Sequence, residues 1–314
     1  MSALVETVIF IFGLVALGYL AGLAGVLKDE TGDALSDFAT TIALPVLLFR
    51  TLATSDFGGT APWSLWIVYF VAAAASWSVG QFVTARVFGR DGRASIIGGI
   101  ASGFSNLVLL GLPFTLGVFG QAGMSVLSLI VAVHLPVMLA VSVVLFALVD
   151  KDEERTLGRE IVLFLKALAV NPLVAGIVLG LIWRVLGLAM PELGMRFVDT
   201  FAAIAGPLAL FAMGLGLRRF GVTANFGPAF ALSLLKLVFM PAVALAMALL
   251  FHLPPLTAQV VVLAAALPTG VNPYLFATRF GTGQALSSNA LTIGTILAAA
   301  TTAAWLAIVQ AIYG

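Results

Sequence analysis

The sequence predicts an all-α integral membrane protein: ten transmembrane helices in two inverted five-helix repeats, with helices 4 and 9 broken. Three observations predict it. Of 314 residues, 61% are hydrophobic and 9% charged, against about 25% charged in soluble domains, so a water-compatible surface cannot be assembled. The apolar stretches run near 20 residues, the length of a helix through hydrocarbon, whereas a barrel would alternate in stretches of about 10. Five stretches precede a charged central segment and five follow it, and halves with an odd number of crossings face opposite ways.

The same numbers exclude other classes. Lys+Arg is 15 against Asp+Glu 14, a net charge of +1, so no basic face exists for nucleic acid. There is no cysteine, hence no disulfide, thiolate metal site or Cys nucleophile. The two histidines, His134 and His252, stand far apart and no G-x-S-x-G elbow occurs, so neither metalloprotease nor hydrolase chemistry is expected. The expectation is a non-enzyme with no catalytic residues, no metal and no cofactor.

Span 1 covers 4–27. No Lys or Arg precedes Lys28, so it lacks the positive start of a secretory signal, and Gly18-x-x-x-Gly22 permits close helix packing. Span 2, 33–53, carries Ile42-Ala-Leu-Pro45-Val-Leu-Leu-Phe49 and closes on Arg50, placed to snorkel outward. Span 3 is 62–88. Span 4, 94–119, places Ser102-Gly-Phe-Ser-Asn106 ahead of Gly111-Leu-Pro113 and ends in Phe119-Gly120. Span 5, 121–149, holds His134 beside Pro136.

The strongly charged segment 150–166 follows, and 157–170 reads as an amphipathic interfacial helix. Span 6, 169–188, carries Gly176-x-x-x-Gly180. Span 7, 194–217, echoes span 2 as Ile204-Ala-Gly-Pro207-Leu-Ala-Leu-Phe211. Span 8, 227–252, has Lys236 about ten residues in. Span 9, 256–280, carries Pro268-Thr-Gly-Val-Asn-Pro273 and ends, like span 4, in Phe-Gly, at Phe280-Gly281. Span 10 is 284–312. The domains are thus 1–149, a first repeat; 150–168, a cytoplasmic linker; and 169–314, the inverted second repeat.

Orientation follows from Lys and Arg. With the N-terminus outside, inner loops carry Lys28, Arg86, Arg90, Arg93, Lys151, Arg155, Arg159, Lys166, Arg218, Arg219 and Arg279, and outer loops only Arg50, Arg184 and Arg196. The expected location is the inner or plasma membrane, multi-pass, with both termini outside.

Matched Pro/Gly-interrupted spans in two inverted halves point to a transporter binding site. Proline lacks an N–H and blocks the bond to the carbonyl one turn earlier, and unwound backbone must line protein or water rather than lipid. Each proline suits the opening of a new half-helix, whose N-terminus carries roughly half a positive charge. Two such ends make an anion site. The expected substrate-binding residues are Asn106, Gly111, Pro113, Pro268, Thr269, Gly270, Asn272 and Pro273, with Asn106, Thr269 and Asn272 adding side-chain hydrogen bonds. The expected ligand is a small carboxylate.

Ionisable groups at membrane depth are functional hypotheses by default. Lys236 is expected to compensate substrate charge, to replace a coupling cation or to titrate; its structural alternative is a bond to a backbone carbonyl at the cross-over. His134 is a candidate proton relay, or a hydrogen-bonded helix residue. No membrane-embedded Asp/Glu pair appears. The coupling ion, proton or sodium, stays open, as does a sodium-coupled symporter of larger amphipathic anions or an anion channel.

Asn106-Leu-Val-Leu-Leu-Gly111-Leu-Pro113, Phe119-Gly120, Val170-Asn171-Pro172-Leu173, Leu235-Lys236-Leu237 with Pro241, and Ala266-Leu-Pro268-Thr-Gly-Val-Asn-Pro273-Tyr274 together resemble the auxin efflux carrier family. The resemblance covers nearly the whole chain. It implies the fold of bile-acid/sodium symporters and sodium/proton antiporters, with a scaffold of spans 1, 2, 6 and 7 and a transport domain of spans 3–5 and 8–10. It further implies that broken helices cross near Pro113 and Pro273, that an elevator mechanism moves organic acids such as malonate, and that a homodimer forms through the scaffold. The long hydrophilic loop of many plant members is absent.

Overall fold

A computed structural model describes residues 3–55, 62–149, 157–220 and 226–314. Among them all regular structure is helical. In chain order the helices are α1 (Ala3–Leu23), α2 (Asp29–Phe38), α3 (Leu44–Thr54), α4 (Trp63–Phe82), α5 (Gly92–Gly103), α6 (Leu112–Val149), α7 (Leu157–Ala169), α8 (Pro172–Leu186), α9 (Glu192–Leu217), α10 (Phe226–Leu234), α11 (Met240–Leu250), α12 (Pro255–Ala266), α13 (Asn272–Arg279) and α14 (Gln284–Tyr313). Residues 150–156, the acidic and basic start of the expected linker, lie outside the described residues.

By length and apolarity, seven stretches among the described residues can cross a membrane. The difference from ten has a physical origin. Gly92–Val149 is one stretch of 58 residues that holds expected spans 4 and 5, and a crossing needs only about 20. The expected span 6 is the shorter apolar helix Pro172–Leu186. The expected span 9 is split into α12 and α13.

Four turns of π-helix lie within the helical stretches, at Ala39–Ala43, Val83–Val87, Leu107–Gly111 and Leu235–Phe239. Three of them end two residues before a proline: Pro45, Pro113 and Pro241. A proline removes one donor and its ring presses on the preceding turn; a single wider turn upstream relieves both without ending the helix. In span 4 the interruption falls on the polar residues ahead of the proline. Gly111 and Pro113 stand in helical backbone, and the chain leaves the helix earlier, at Phe104-Ser105-Asn106. The Phe-Gly echo has a backbone cause: Gly120 and Gly281 take φ of 60° and 67°, a region where a Cβ is penalised.

The chain gathers into two compact units. The first comprises 1–61, 108–132 and 166–219. In it α1 lies along α9 and α3 along α8. Both contacts bring backbone against backbone: a Cβ on Gly18 would collide with the Phe211 carbonyl oxygen, one on Gly214 with that of Val15, and one on Gly176 with that of Pro45. Helices in lipid gain little by hiding apolar surface from each other, so close van der Waals approach holds them. Arg50 does not simply snorkel outward. Its Nε donates to Asp199 Oδ1 at 2.5 Å, tying α3 to α9.

The second unit comprises 62–107, 133–165 and 220–314. Here α4 packs along α5, α11 along α12, and α14 against α10 and α12. Trp77, Ile97, Ile100, Phe104, Phe146 and Phe280 share one buried cluster, in which the Phe146 and Phe280 rings stack at 3.7 Å. Large apolar side chains such as Val238, Leu250 and Ile296 stay exposed, as a lipid-facing surface requires.

Candidate functional site at two helix breaks

Both interruptions fall in the second unit. Helix α5 ends at Gly103, and Phe104 turns to extended backbone (φ −86°, ψ 119°). Helix α12 ends at Ala266, and Leu267 does the same (φ −66°, ψ 146°). The two unwound strands of chain touch: the Asn106 backbone N–H donates to the Pro268 carbonyl at 2.9 Å. Backbone groups freed by one break are thus partly satisfied by the other, which allows irregular backbone at membrane depth. The meeting point is Asn106 with Pro268. Pro113 lies in the first unit, where it packs beside Gly206.

The crossing is buried. Ser105, Asn106 and Thr269 are all buried, as are Pro268 and Gly270. The Asn106 side chain lies over Gly270, where an added Cβ would sit 3.4 Å from the Asn106 Cγ. The hydroxyls of Ser105 and Thr269 are buried without a hydrogen-bond partner among the described residues. Each such orphan costs about 1–3 kcal/mol. Val271 precedes α13 without a side-chain cap, and Pro273 stands in its first turn, the position where a missing N–H costs nothing. Asn272, half-buried, opens that helix.

Each half-helix that runs into the crossing ends with carbonyls that lack intrahelical partners. A neighbouring helix supplies the donor at the matching position, the last residue but one. Ser76 Oγ donates to the Ser102 carbonyl at 2.7 Å, and Ser102 Oγ returns a bond to the Ser76 carbonyl at 3.0 Å. Lys236 Nζ donates to the Ala265 carbonyl at 2.5 Å. The two caps differ in charge. Lys236 is 1% exposed and sits in the π-turn Leu235–Phe239. It faces a helix C-terminus, the end bearing roughly half a negative charge. The carbonyl pairing weighed for Lys236 in the sequence is therefore present.

His134, 3% exposed, lies 3.2 Å through Nδ1 from the hydroxyl of buried Tyr69. Its ring meets Phe104 edge-on at 4.6 Å. Farther out, Arg93 on α5 donates to the Phe280 carbonyl at 2.7 Å, a cation closing the C-terminal end of the short α13.

The structure therefore brings Asn106 against Pro268 and Gly270, with Thr269 between the latter two and Asn272 and Pro273 opening the next helix, while Lys236 reaches the same break through Ala265 at the end of α12. Gly111 and Pro113 belong to the first unit. Tyr69, Ser76 and Arg93 are not among the residues the sequence pattern marks for the site. Tyr69 had a signal, a phenolic tip inside an apolar span. Arg93 was counted only for its charge. Among the described residues no group of three or more His, Cys, Asp or Glu could hold a metal ion, and no Asp or Glu is among those buried.

Long apolar helices, lipid-facing side chains and a polar crossing of interrupted helices define a multi-pass integral membrane protein. The chain belongs to the membrane transport protein family, whose pattern it matches over residues 3–306. The resemblance to auxin efflux carriers holds within it. An Arabidopsis thaliana protein named "Auxin efflux carrier component 8" is 26% identical over 265 residues, 68% of this chain and 72% of that protein. A Rhizobium meliloti protein named "Putative malonate transporter" is 27% identical over 320 residues, 96% of this chain and 94% of its own. A Methanothermobacter thermautotrophicus protein named "Uncharacterized transporter" is 24% identical over 300 residues, 96% of both chains.

Proposed function

We propose that the protein is a secondary active transporter of small organic anions, carboxylates such as malonate or related acids, and not an enzyme. One observation carries this reading. A lysine is buried where two interrupted helices meet, and no carboxylate is buried among the described residues. In its charged form Lys236 finds part of a negative charge at the α12 C-terminus. A buried cation without a full counter-charge is costly, and a substrate carboxylate supplies the remainder. The unpartnered Thr269 hydroxyl and the Asn106 carboxamide add donors of the kind a carboxylate accepts. The relative named for malonate favours the same ligand class.

The chain works by elevator-type alternating access across ten spans in two inverted repeats. Several matches support the repeat. An operation exchanging spans 1 and 6, and 2 and 7, converts the α1–α9 pair into the α8–α3 pair, and both pairs are packed. The same exchange converts α4–α5 into α11–α12. Gly120 and Gly281 both take a positive φ. The compact units support a scaffold of spans 1, 2, 6 and 7 and a moving domain of spans 3–5 and 8–10, with the difference that 108–132 joins the first unit. The protein sits in the inner or plasma membrane with both termini outside, as its Lys and Arg distribution favours, and assembles as a homodimer.

A thermal-shift screen of purified protein against small mono- and dicarboxylates tests the reading. A ligand at one hundred times its Kd stabilises by about 2.7 kcal/mol, a rise of several degrees in Tm. Malonate or a close relative is expected to give it, with saturable, counter-flow-stimulated uptake in proteoliposomes. Stabilisation by large amphipathic anions alone, and only with sodium, would contradict it; non-saturable flux would mark a channel.

A further inference from the structure

We propose that His134, with Tyr69 as its hydrogen-bond partner, is a proton-binding site coupled to anion binding at the crossing, so that one proton and one substrate anion are taken up together. This rests on the carboxylate reading above and names its coupling ion.

His134 has a tyrosine hydroxyl 3.2 Å from Nδ1, while its Nε2 is buried and has no hydrogen-bond partner among the described residues. A neutral imidazole is donor at one nitrogen and acceptor at the other. Tyr69, which can donate or accept, satisfies the first nitrogen in either protonation state. The second nitrogen is where a proton is gained or lost. The ring borders the interrupted segment directly, through its edge-on contact with Phe104 and its proximity to Ser105. The Ser105 hydroxyl also faces Tyr69, without reaching good hydrogen-bond geometry to any of the described residues. Once Nε2 carries a proton it becomes a donor, and an oxygen of Ser105 is the acceptor at hand. Protonation thus acts on Phe104-Ser105-Asn106, the segment that presents Asn106.

Charge makes the coupling reciprocal. Among the described residues, the titratable and charged groups facing His134 are Tyr69 from α4 and Lys236 from the π-turn of span 8. A second cation beside Lys236 is unfavourable until an anion arrives between or beside them. Each of the two ligands therefore strengthens the binding of the other by the same factor. The proton enters from water on the side to which the crossing is open, rests on Nε2, and leaves to water on the other side with the substrate. No buried Asp or Glu among the described residues competes for this role.

The test measures malonate affinity by titration calorimetry between pH 6 and 8 for the wild type, His134→Gln and Tyr69→Phe. The wild type is expected to bind more tightly as pH falls, by up to about tenfold per pH unit for one linked proton. His134→Gln is expected to keep only the dependence due to malonate itself, and Tyr69→Phe to bind malonate with a displaced pH profile. The chain has two histidines, so His252→Asn leaves His134 as its sole imidazole, and ¹⁵N labelling is expected to show that ring gaining a proton when malonate is added. An equal slope in wild type and His134→Gln, or a ring unchanged by malonate, would overturn the proton site while leaving the carboxylate reading intact. An unmoved Tyr69→Phe profile would contradict the pairing. Absence of malonate binding at every pH would bring down the carboxylate reading and this inference with it.

Discussion

Replacing Lys236 by methionine separates its two roles. The side chain is fully buried and its ammonium caps Ala265. Losing a hydrogen bond to a charged group and stranding the carbonyl costs about 1–3 kcal/mol. Against this, an apolar chain of similar length removes a buried charge, and such exchanges are often neutral or stabilising by about 1–4 kcal/mol. Stability is therefore expected to lie between about 2 kcal/mol below and about 3 kcal/mol above that of the wild type, and Lys236→Met is expected to fold. Anion binding has no such compensation. A carboxylate about 4 Å from the ammonium gains about 4 kcal/mol at an effective dielectric near 20, so affinity is expected to fall about a thousandfold. Thermal unfolding of both forms with and without malonate checks it: the variant keeps its own transition and loses the malonate-induced rise. A variant stabilised by malonate as strongly as the wild type would reduce Lys236 to a helix cap and refute the charge-compensation argument.

Other outcomes follow from the same contacts. Asn106→Ala is expected to weaken malonate binding by about 1–3 kcal/mol, read by titration calorimetry, since the carboxamide over Gly270 is a desolvated partner. Arg93→Ala removes the cation closing α13 at Phe280; the expected result is a loss of about 1–3 kcal/mol and faster amide exchange in Asn272–Arg279, with partial recovery in Arg93→Lys. Gly214→Val drives a side chain into the Val15 carbonyl, and overpacking of this kind costs about 1–3 kcal/mol or more; a lowered Tm with an unchanged malonate-induced rise would place the damage in the α1–α9 packing alone.

The sequence disclosed what composition and spacing control. Helices follow from apolar length, and the glycine stripes at Gly18 and Gly176 became the backbone contacts their spacing implies. The break in span 9 was legible because Pro268 and Pro273, each without a backbone donor, bracket a glycine. The break in span 4 was legible in the polar run 102–106, but the breaks meet at Asn106 and Pro268 and not near Pro113. Pro113 is the conspicuous residue, yet a π-turn at Leu107–Gly111 absorbs it, and the chain unwinds at Phe104 instead. Nothing in a one-dimensional pattern distinguishes a proline that breaks a helix from one that a wider turn accommodates. Pairings distant in the chain were equally hidden: Lys236 with Ala265, Arg93 with Phe280, Arg50 with Asp199 and Tyr69 with His134 depend on which helices become neighbours.

The central claim is that the two interruptions form one anion site. The chain contains no cysteine, so Ser105→Cys and Thr269→Cys each introduce a single reactive thiol, one at each break. Labelling by a small membrane-permeant thiol reagent, with malonate titrated in, is the direct measurement. Both thiols are expected to be protected with the same half-saturating malonate concentration. Protection of one thiol and not the other would mean that the two breaks do not share a ligand.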